Sequence, residues 1–199
     1  MNNKKPRVIL ASNNMHKAKE IKSIIGEFYD IITLCEAGLD NFEIIEDGNT
    51  FEENAAKKAA AVFNETGLPT IADDSGLCVD YLDGRPGVHT ARFAGENASD
   101  SENIDKLLDE LKNVPYEKRT AHFVCVIAFA DKADNIKYFR GECSGYILDE
   151  KLGSNGFGYD PIFYYPDFEL SLAQMPESEK NKISHRSQAL KKFYEAVKK

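Results

Sequence analysis

Most of the patterns that announce a known chemistry are missing from this chain of 199 residues. It has no GxSxG elbow, Cys–His motif, HExxH or GxGxxG, so covalent catalysis and dinucleotide binding are unsupported. The GxxxxGK[ST] phosphate loop is absent as well. Four cysteines, Cys35, Cys78, Cys125 and Cys143, are widely spaced and form no CxxC pair. Cys78 and Cys125 sit inside apolar runs and read as buried thiols, not as disulfides or zinc ligands. His16, His89 and His122 show no HxxxH spacing. No apolar run is long enough to span a bilayer. The start, Met1 to Arg7, is polar and leads straight into a strand without a signal-like core, so the expected compartment is the cytoplasm. Positive charge is scarce too: 25 basic against 33 acidic residues give a net charge of −8. That balance argues against general binding to nucleic acid or a membrane surface. A polyanionic ligand would have to be held by cations gathered locally.

What the chain does have is an interleaving of strands and helices. Arg7–Ala11 reads as a strand, Ser12–Asn14 as a turn, and His16–Ile25 as a helix with Ile21, Ile24 and Ile25 on one side. Asp30–Leu34 reads as a second strand, and Glu43–Asn49 as an acidic loop. Thr50 and Glu53 have capping-box spacing ahead of an alanine-rich helix that Gly67 and Pro69 stop. A strand near Thr70–Asp73, an Asp-Asp-Ser-Gly turn and an apolar segment at Leu77–Tyr81 follow. Ser99 and Glu102 repeat the capping spacing before a helix to about Lys112. Two long strands, Ala121–Ala130 and Ile136–Cys143, suggest a hairpin around Lys132–Asn135. Pro176 can begin a short helical turn, and Ser184 can cap a last helix. With no repeat, linker or low-complexity segment, the expectation is a single α/β domain over 1–199 with a mixed sheet.

Several clusters could carry chemistry. Ser12–Lys17 joins a strand to a helix N-terminus, where outward N–H groups and the Lys17 ammonium suit an anion. Asp73 and Asp74 are adjacent carboxylates at a strand end. They point to opposite sides, so one can serve a site and the other the scaffold. With oxygen donors nearby, the natural guest is a hard cation such as Mg2+. Glu43, Glu46 and Asp47 could add a second carboxylate, although such a run is more often a solvated loop. Gly153–Asp160 frees Phe157 and Tyr159 on a glycine-rich loop, where they can stack on a base or plug the core. Lys180, Lys182, His185 and Arg186 gather at or before the start of the last helix. Cations there oppose the helix dipole and call for a nearby anion.

Taken in order, these segments resemble the inosine/xanthosine triphosphate pyrophosphatase family, the house-cleaning enzymes of non-standard purine nucleotides. The matching pieces are Ser12-Asn13-Asn14-Met15-His16-Lys17, Thr50-Phe51-Glu52-Glu53-Asn54-Ala55 and Ile71-Ala72-Asp73-Asp74-Ser75-Gly76-Leu77. They continue with Gly84-Arg85-Pro86-Gly87, Ala91-Arg92, Gly156-Phe157-Gly158-Tyr159-Asp160-Pro161 and Ile183-Ser184-His185-Arg186. The resemblance runs from about residue 7 to 197. It departs at Asn13, where a glycine is common, and at His16, where a small residue is frequent.

The resemblance implies an elongated α/β fold with a mixed sheet, flanking helices, and two lobes with the active-site cleft between them. It also implies a homodimer and a requirement for Mg2+. Asp74 would be the general base and a metal contact, with Glu46 the second metal carboxylate. Residues Ser12, Asn13, Asn14, Met15, His16 and Lys17, with Ser75 and Lys180, would hold the phosphates. Phe157, Gly158, Tyr159 and Asp160 would hold base and sugar, and His185 and Arg186 would read the base edge. Donors there suit the 6-carbonyl of hypoxanthine or xanthine and would be left unpaired by adenine's amine. Guanine shares that carbonyl, so its rejection needs steric exclusion of the 2-amino group. Two other readings remain: a related pyrophosphatase acting on modified pyrimidine triphosphates, and a non-catalytic nucleotide sensor.

Overall fold

The computed structural model describes residues 5–132 and 135–198. The elements are strands β1 (Arg7–Leu10), β2 (Asp30–Thr33), β3 (Thr70–Val79), β4 (Thr120–Lys132), β5 (Asn135–Ile147), β6 (Phe163–Tyr165) and β7 (Leu170–Ser171). Five α-helices accompany them: α1 (Met15–Ile25), α2 (Phe51–Thr66), α3 (Asp100–Glu110), α4 (Glu177–Ile183) and α5 (His185–Val197). The strands form one mixed sheet in the order β2-β1-β3-β4-β5-β6-β7. β1 runs parallel to both β2 and β3, while β5–β6 and β6–β7 are antiparallel. The expected α/β class with a mixed sheet is therefore what the chain adopts.

Two compact units divide it. The first takes the chain up to Asp74, then Cys125–Gly141 and the chain from Arg186 onward; the second takes Ser75–Val124 and Glu142–His185. In the first, Val8 and Leu10 pack with Ala18, Ile21 and Ile25 of α1, Ile71, Cys125, Ile127 and Phe129, and Leu190 and Phe193 of α5. Val8, Ile9 and Leu10 are all buried, as befits a parallel strand covered on both faces. In the second, Leu77, Val79, Ile104, Leu107, Leu111, Phe123, Tyr159 and Phe163 form a separate core.

Local chemistry sets the helix ends. Asn14 caps α1 by accepting from the N–H of His16 (3.0 Å) and Lys17 (3.1 Å). Thr50 caps α2 through the Glu53 N–H, while the Glu53 carboxylate reaches one residue further back than the box expects, to the Asn49 N–H (2.7 Å). Ser99 and Glu102 close a full capping box on α3. Gly67 ends α2 at φ +67°, a conformation that a Cβ disfavours. Pro176 stands at the start of α4, and Ser184 separates α4 from α5.

Two expectations need correction. Asp-Asp-Ser-Gly is not a turn: β3 runs unbroken through it to Val79, because both carboxylates are buried against cations instead of being screened by solvent. Helix α3 stops at Glu110, two residues earlier than expected. Of the hairpin expected at Lys132–Asn135, residues 133–134 lie outside the described residues.

The end of α3 is held by a buried guanidinium. Arg119 donates to the carbonyls of Leu111 (3.0 Å), Val114 (2.9 Å) and Leu148 (3.3 Å), and pairs with Asp149. Replacing Arg119 with Met leaves these carbonyls unmatched and is expected to cost about 3 kcal/mol, read as a drop in urea midpoint. A loss under 0.5 kcal/mol would remove this residue from the structural account.

Candidate active site

The chemistry centres on two neighbouring carboxylates with different surroundings. β3 alternates its side chains, so Asp73 and Asp74 leave the strand on opposite sides. Both are buried, at 1% and 8% exposure.

Asp73 meets three donors from three elements. Lys17 of α1 pairs with Oδ1; Arg186 Nε of α5 (3.0 Å) and the Cys125 thiol of β4 (3.0 Å) donate to Oδ2. Arg186 Nη1 in turn donates to Glu20 Oε2 at 2.5 Å. Among these partners two cations face two carboxylates, so their charges balance. Burial alone would push the Asp73 carboxyl up, but Arg186 and Lys17 outweigh it and hold it well below the usual carboxylate range. Burial pushes the Cys125 thiol well up, as does the neighbouring Asp73 charge, so it stays a donor. The anion that the clustered basic residues call for at the start of α5 is, for Arg186, supplied by the chain itself.

On the other side, Lys58 Nζ of α2 donates to Asp74 Oδ1 (2.8 Å) and to Glu46 Oε2 (2.7 Å). Asn54, one turn earlier, holds the second Asp74 oxygen at 3.5 Å. Two carboxylates here share one directly bonded ammonium, and the Lys17 charge also acts on Asp74. Burial raises the Asp74 carboxyl above its usual value; Lys58 and, less, Lys17 only partly offset this. For Lys58, burial pulls the other way, and Asp74 and Glu46 together still raise its proton affinity.

Glu46 owes its place to the docking of the acidic loop on α2. Gly48 N–H donates to Asn54 Oδ1 (2.8 Å), Lys57 pairs with Asp47, and Asn49 N–H bonds Glu53. A Cβ on Gly48 would stand 2.7 Å from Asn54 Oδ1, so the loop approaches α2 more closely than a side chain permits. Far from being merely solvated, the loop is pinned at Glu46, Asp47, Gly48 and Asn49.

The Ser12–Lys17 segment spends part of its bonding capacity on itself. Ser12 Oγ accepts from the Asn14 N–H (3.2 Å), and Asn14 takes the N–H groups of His16 and Lys17. Asn13, Asn14, Met15 and His16 lie at the surface. Ser75 is half-buried directly after Asp74.

In the second unit, Asp160 organises the glycine-rich loop. Its Oδ2 accepts from the Phe157 N–H (2.9 Å) and pairs with Lys180. Gly156 has φ +76°, and a Cβ there would fall 2.0 Å from the same oxygen, so the loop admits only glycine. The two aromatics part company. Tyr159 plugs the core and donates its hydroxyl to the Thr90 carbonyl (3.0 Å), whereas Phe157 is half-buried with the Lys180 ammonium 4.9 Å from its ring centre. Gly158 N–H donates to Asp100 (2.7 Å). His185 is buried and stacked on Phe123, ring centres 4.8 Å apart.

Sequence reasoning did not single out Lys58, Asn54, Glu20 or Asp100. A signal existed for the first two: Asn54 and Lys58 are four apart and share the buried face of α2 with Phe51, Ala55, Ala59 and Val62. Polar residues on an apolar stripe call for buried partners. Among the described residues no three or more His, Cys, Asp or Glu side chains converge as a metal cluster. The Glu46–Asp74 pair nonetheless has the all-oxygen donor set that Mg2+ favours, since such sites take one or two protein carboxylates and fill the rest with water and phosphate.

Comparison with known proteins follows the same lines. The family model described as Ham1 family matches residues 8–196. The dITP/XTP pyrophosphatase of Clostridium perfringens is 48% identical over 200 residues, covering 96% of this chain and 97% of that protein. The dITP/XTP pyrophosphatase of Geobacter sulfurreducens is 49% identical, with 92% of each chain covered. Among solved structures, the Ham1 protein of Staphylococcus aureus superposes with a TM-score of 0.87 at 44% identity, covering 96% of this chain and 98% of that one.

The two carboxylates carry opposite pH signatures. As acid approaches and passes about pH 4, where a free aspartate protonates, the unfolded chain takes up a proton that native Asp73 refuses. Stability from Asp73 is therefore lost as pH falls through this window. Asp74, with its raised value, takes its proton first in the native state, so its contribution fades as pH rises through that value. The urea midpoint of Asp73→Asn is expected to vary less than the wild type's between about pH 5 and pH 3. An unchanged slope would show that Asp73 is not held ionised by its partners.

Proposed function

The chain belongs to the Ham1 family, and from this we propose that it hydrolyses the triphosphates of non-standard purines (inosine, deoxyinosine, xanthosine) to the monophosphate and pyrophosphate. The observation that carries this reading is the Asp74–Glu46 pair, two carboxylate oxygens drawn to one cation position, one of them on the buried Asp74. Glu46 and Asp74 would hold Mg2+, which when bound supplies a Lewis acid for the phosphate oxygens. Asp74, its proton affinity raised by burial, would take the proton of the water that attacks the α-phosphorus.

The remaining roles follow from placement. Lys17 is oriented by Asp73, and Lys180 by Asp160. Each ammonium retains donors that can turn to phosphate oxygens and offset charge on the departing pyrophosphate. Ser12, Asn14 and Ser75 would add hydroxyl and amide contacts. Phe157 would stack on the base, with Asp160 holding the loop that presents it. His185 and Arg186 would donate to the purine 6-carbonyl. The bonds from Arg186 to Asp73 and Glu20 fix the guanidinium before a nucleotide arrives, which lowers the entropy lost on binding. The family reading also carries a homodimer and a cytoplasmic enzyme. Light scattering checks the first, and a monomeric mass would overturn it.

The decisive assay is pyrophosphate release with Mg2+ from inosine and xanthosine triphosphates, set against ATP and GTP. Rapid release from the first pair, abolished by chelation, is the expected result. Equal rates on all four would sink the base selection assigned to His185 and Arg186. Asp74→Asn should lower kcat by about 10²–10⁴-fold with its melting transition retained, and near wild-type turnover would remove Asp74 as the base.

A further inference from the structure

The Glu46–Asp74 pair already has a cation, and it belongs to the chain. Lys58 Nζ sits 2.7 Å from Glu46 Oε2 and 2.8 Å from Asp74 Oδ1, joining carboxylates from a loop and a strand at one point. We propose that Lys58 is the resident cation of this pair and yields its place to a divalent ion, so that the free protein binds such an ion weakly and a bound polyphosphate raises its affinity. The choice of ion and polyphosphate rests on the reading under Proposed function; the exchange itself rests on the geometry.

Three features support the exchange. An ammonium and a divalent ion cannot both stand within bonding distance of the same two oxygens, because like charges so close repel strongly away from water. The segments that carry the carboxylates have anchors besides Lys58. Asn54 lies 3.5 Å from Asp74 Oδ2, and the loop that carries Glu46 is docked by Gly48–Asn54, Asn49–Glu53 and Lys57–Asp47. β3 and the loop therefore keep their places when the lysine leaves. Finally, Lys58 carries its charge on a flexible four-carbon stem, and once displaced from two carboxylates it needs a new anion, which a polyphosphate provides. Two ligands that both relieve the same internal ion pair bind cooperatively, and the coupling is reciprocal.

Lys112, exposed beyond the end of α3 and outside this cluster, is the natural control.

The test measures Mn2+ binding to the full chain by the loss of free-ion paramagnetic signal, without nucleotide and then with inorganic triphosphate. Lys58→Gln is expected to bind Mn2+ alone about tenfold more tightly than wild type, in the usual range for coupled sites. Lys112→Gln should match wild type, Glu46→Gln should lose binding, and triphosphate should raise the wild-type affinity more than that of Lys58→Gln. Equal or weaker binding by Lys58→Gln overturns the exchange. Should that variant fold poorly, wild-type protein labelled with 15N-lysine serves instead. The Lys58 ammonium resonance must shift when Mg2+ and triphosphate are added, and an unmoved signal overturns the proposal. Turnover is not the readout, so failure to cleave inosine triphosphate would sink the proposed activity and leave these titrations to judge the exchange.

Discussion

A carboxylate with 1% exposure in the middle of a strand imposes conditions on everything around it. Asp73 stays ionised there because Lys17, Arg186 and the Cys125 thiol approach from α1, α5 and β4. Glu20 then balances Arg186, which would otherwise leave the cluster with an excess positive charge. Breaking a buried pair on one side strands the other charge, at about 3–5 kcal/mol. These five residues consequently fix how both helices meet the sheet of the first unit. They also orient two cations to which the proposed chemistry gives separate tasks, one at phosphate and one at the base.

One position further along β3, the arrangement differs. Asp74 and Glu46 share Lys58 as their directly bonded cation, and such a carboxylate pair is what a metal-dependent reaction would draw on. Strand alternation separates the two arrangements without any loop or insertion. One acid has two directly bonded cations, while its neighbour shares a single one with Glu46. The Asp160–Lys180 pair of the second unit repeats the neutralised pattern: a buried carboxylate orders a glycine-bounded loop and fixes an ammonium against the Phe157 ring.

Much of this was legible from residue order alone. Apolar runs and periodicity located β1, α1 and the long strands β4 and β5, an alanine-rich body located α2, and the Thr50 and Ser99 caps marked helix starts to within a residue. The Asp-Asp-Ser-Gly stretch misled because its composition is that of a turn. Only the arrival of Lys17, Lys58 and Arg186, distant in sequence, makes a buried strand tolerable there. Tyr159 and Phe157 looked alike on a flexible loop, yet the reach of the Tyr159 hydroxyl to the Thr90 carbonyl decides which ring enters the core. Lys58 was only half legible: its place on the buried stripe of α2 calls for a partner, but which acids supply it shows only once the loop is seen folded onto α2.

The Asp73 cluster also has a place in time. Its bonds join residues 52, 113 and, through Arg186 and Glu20, 166 positions apart. Contacts of such span are assembled late, after the chain between them has been brought into register. During synthesis from the N-terminus, β3 emerges with Asp73 long before Arg186 is made, so the strand must wait with its charge only partly matched. Until Arg186 is made, Asp73 lacks one of its two cations. Closure of the first unit thus becomes a final, cooperative event tied to the arrival of the last helix.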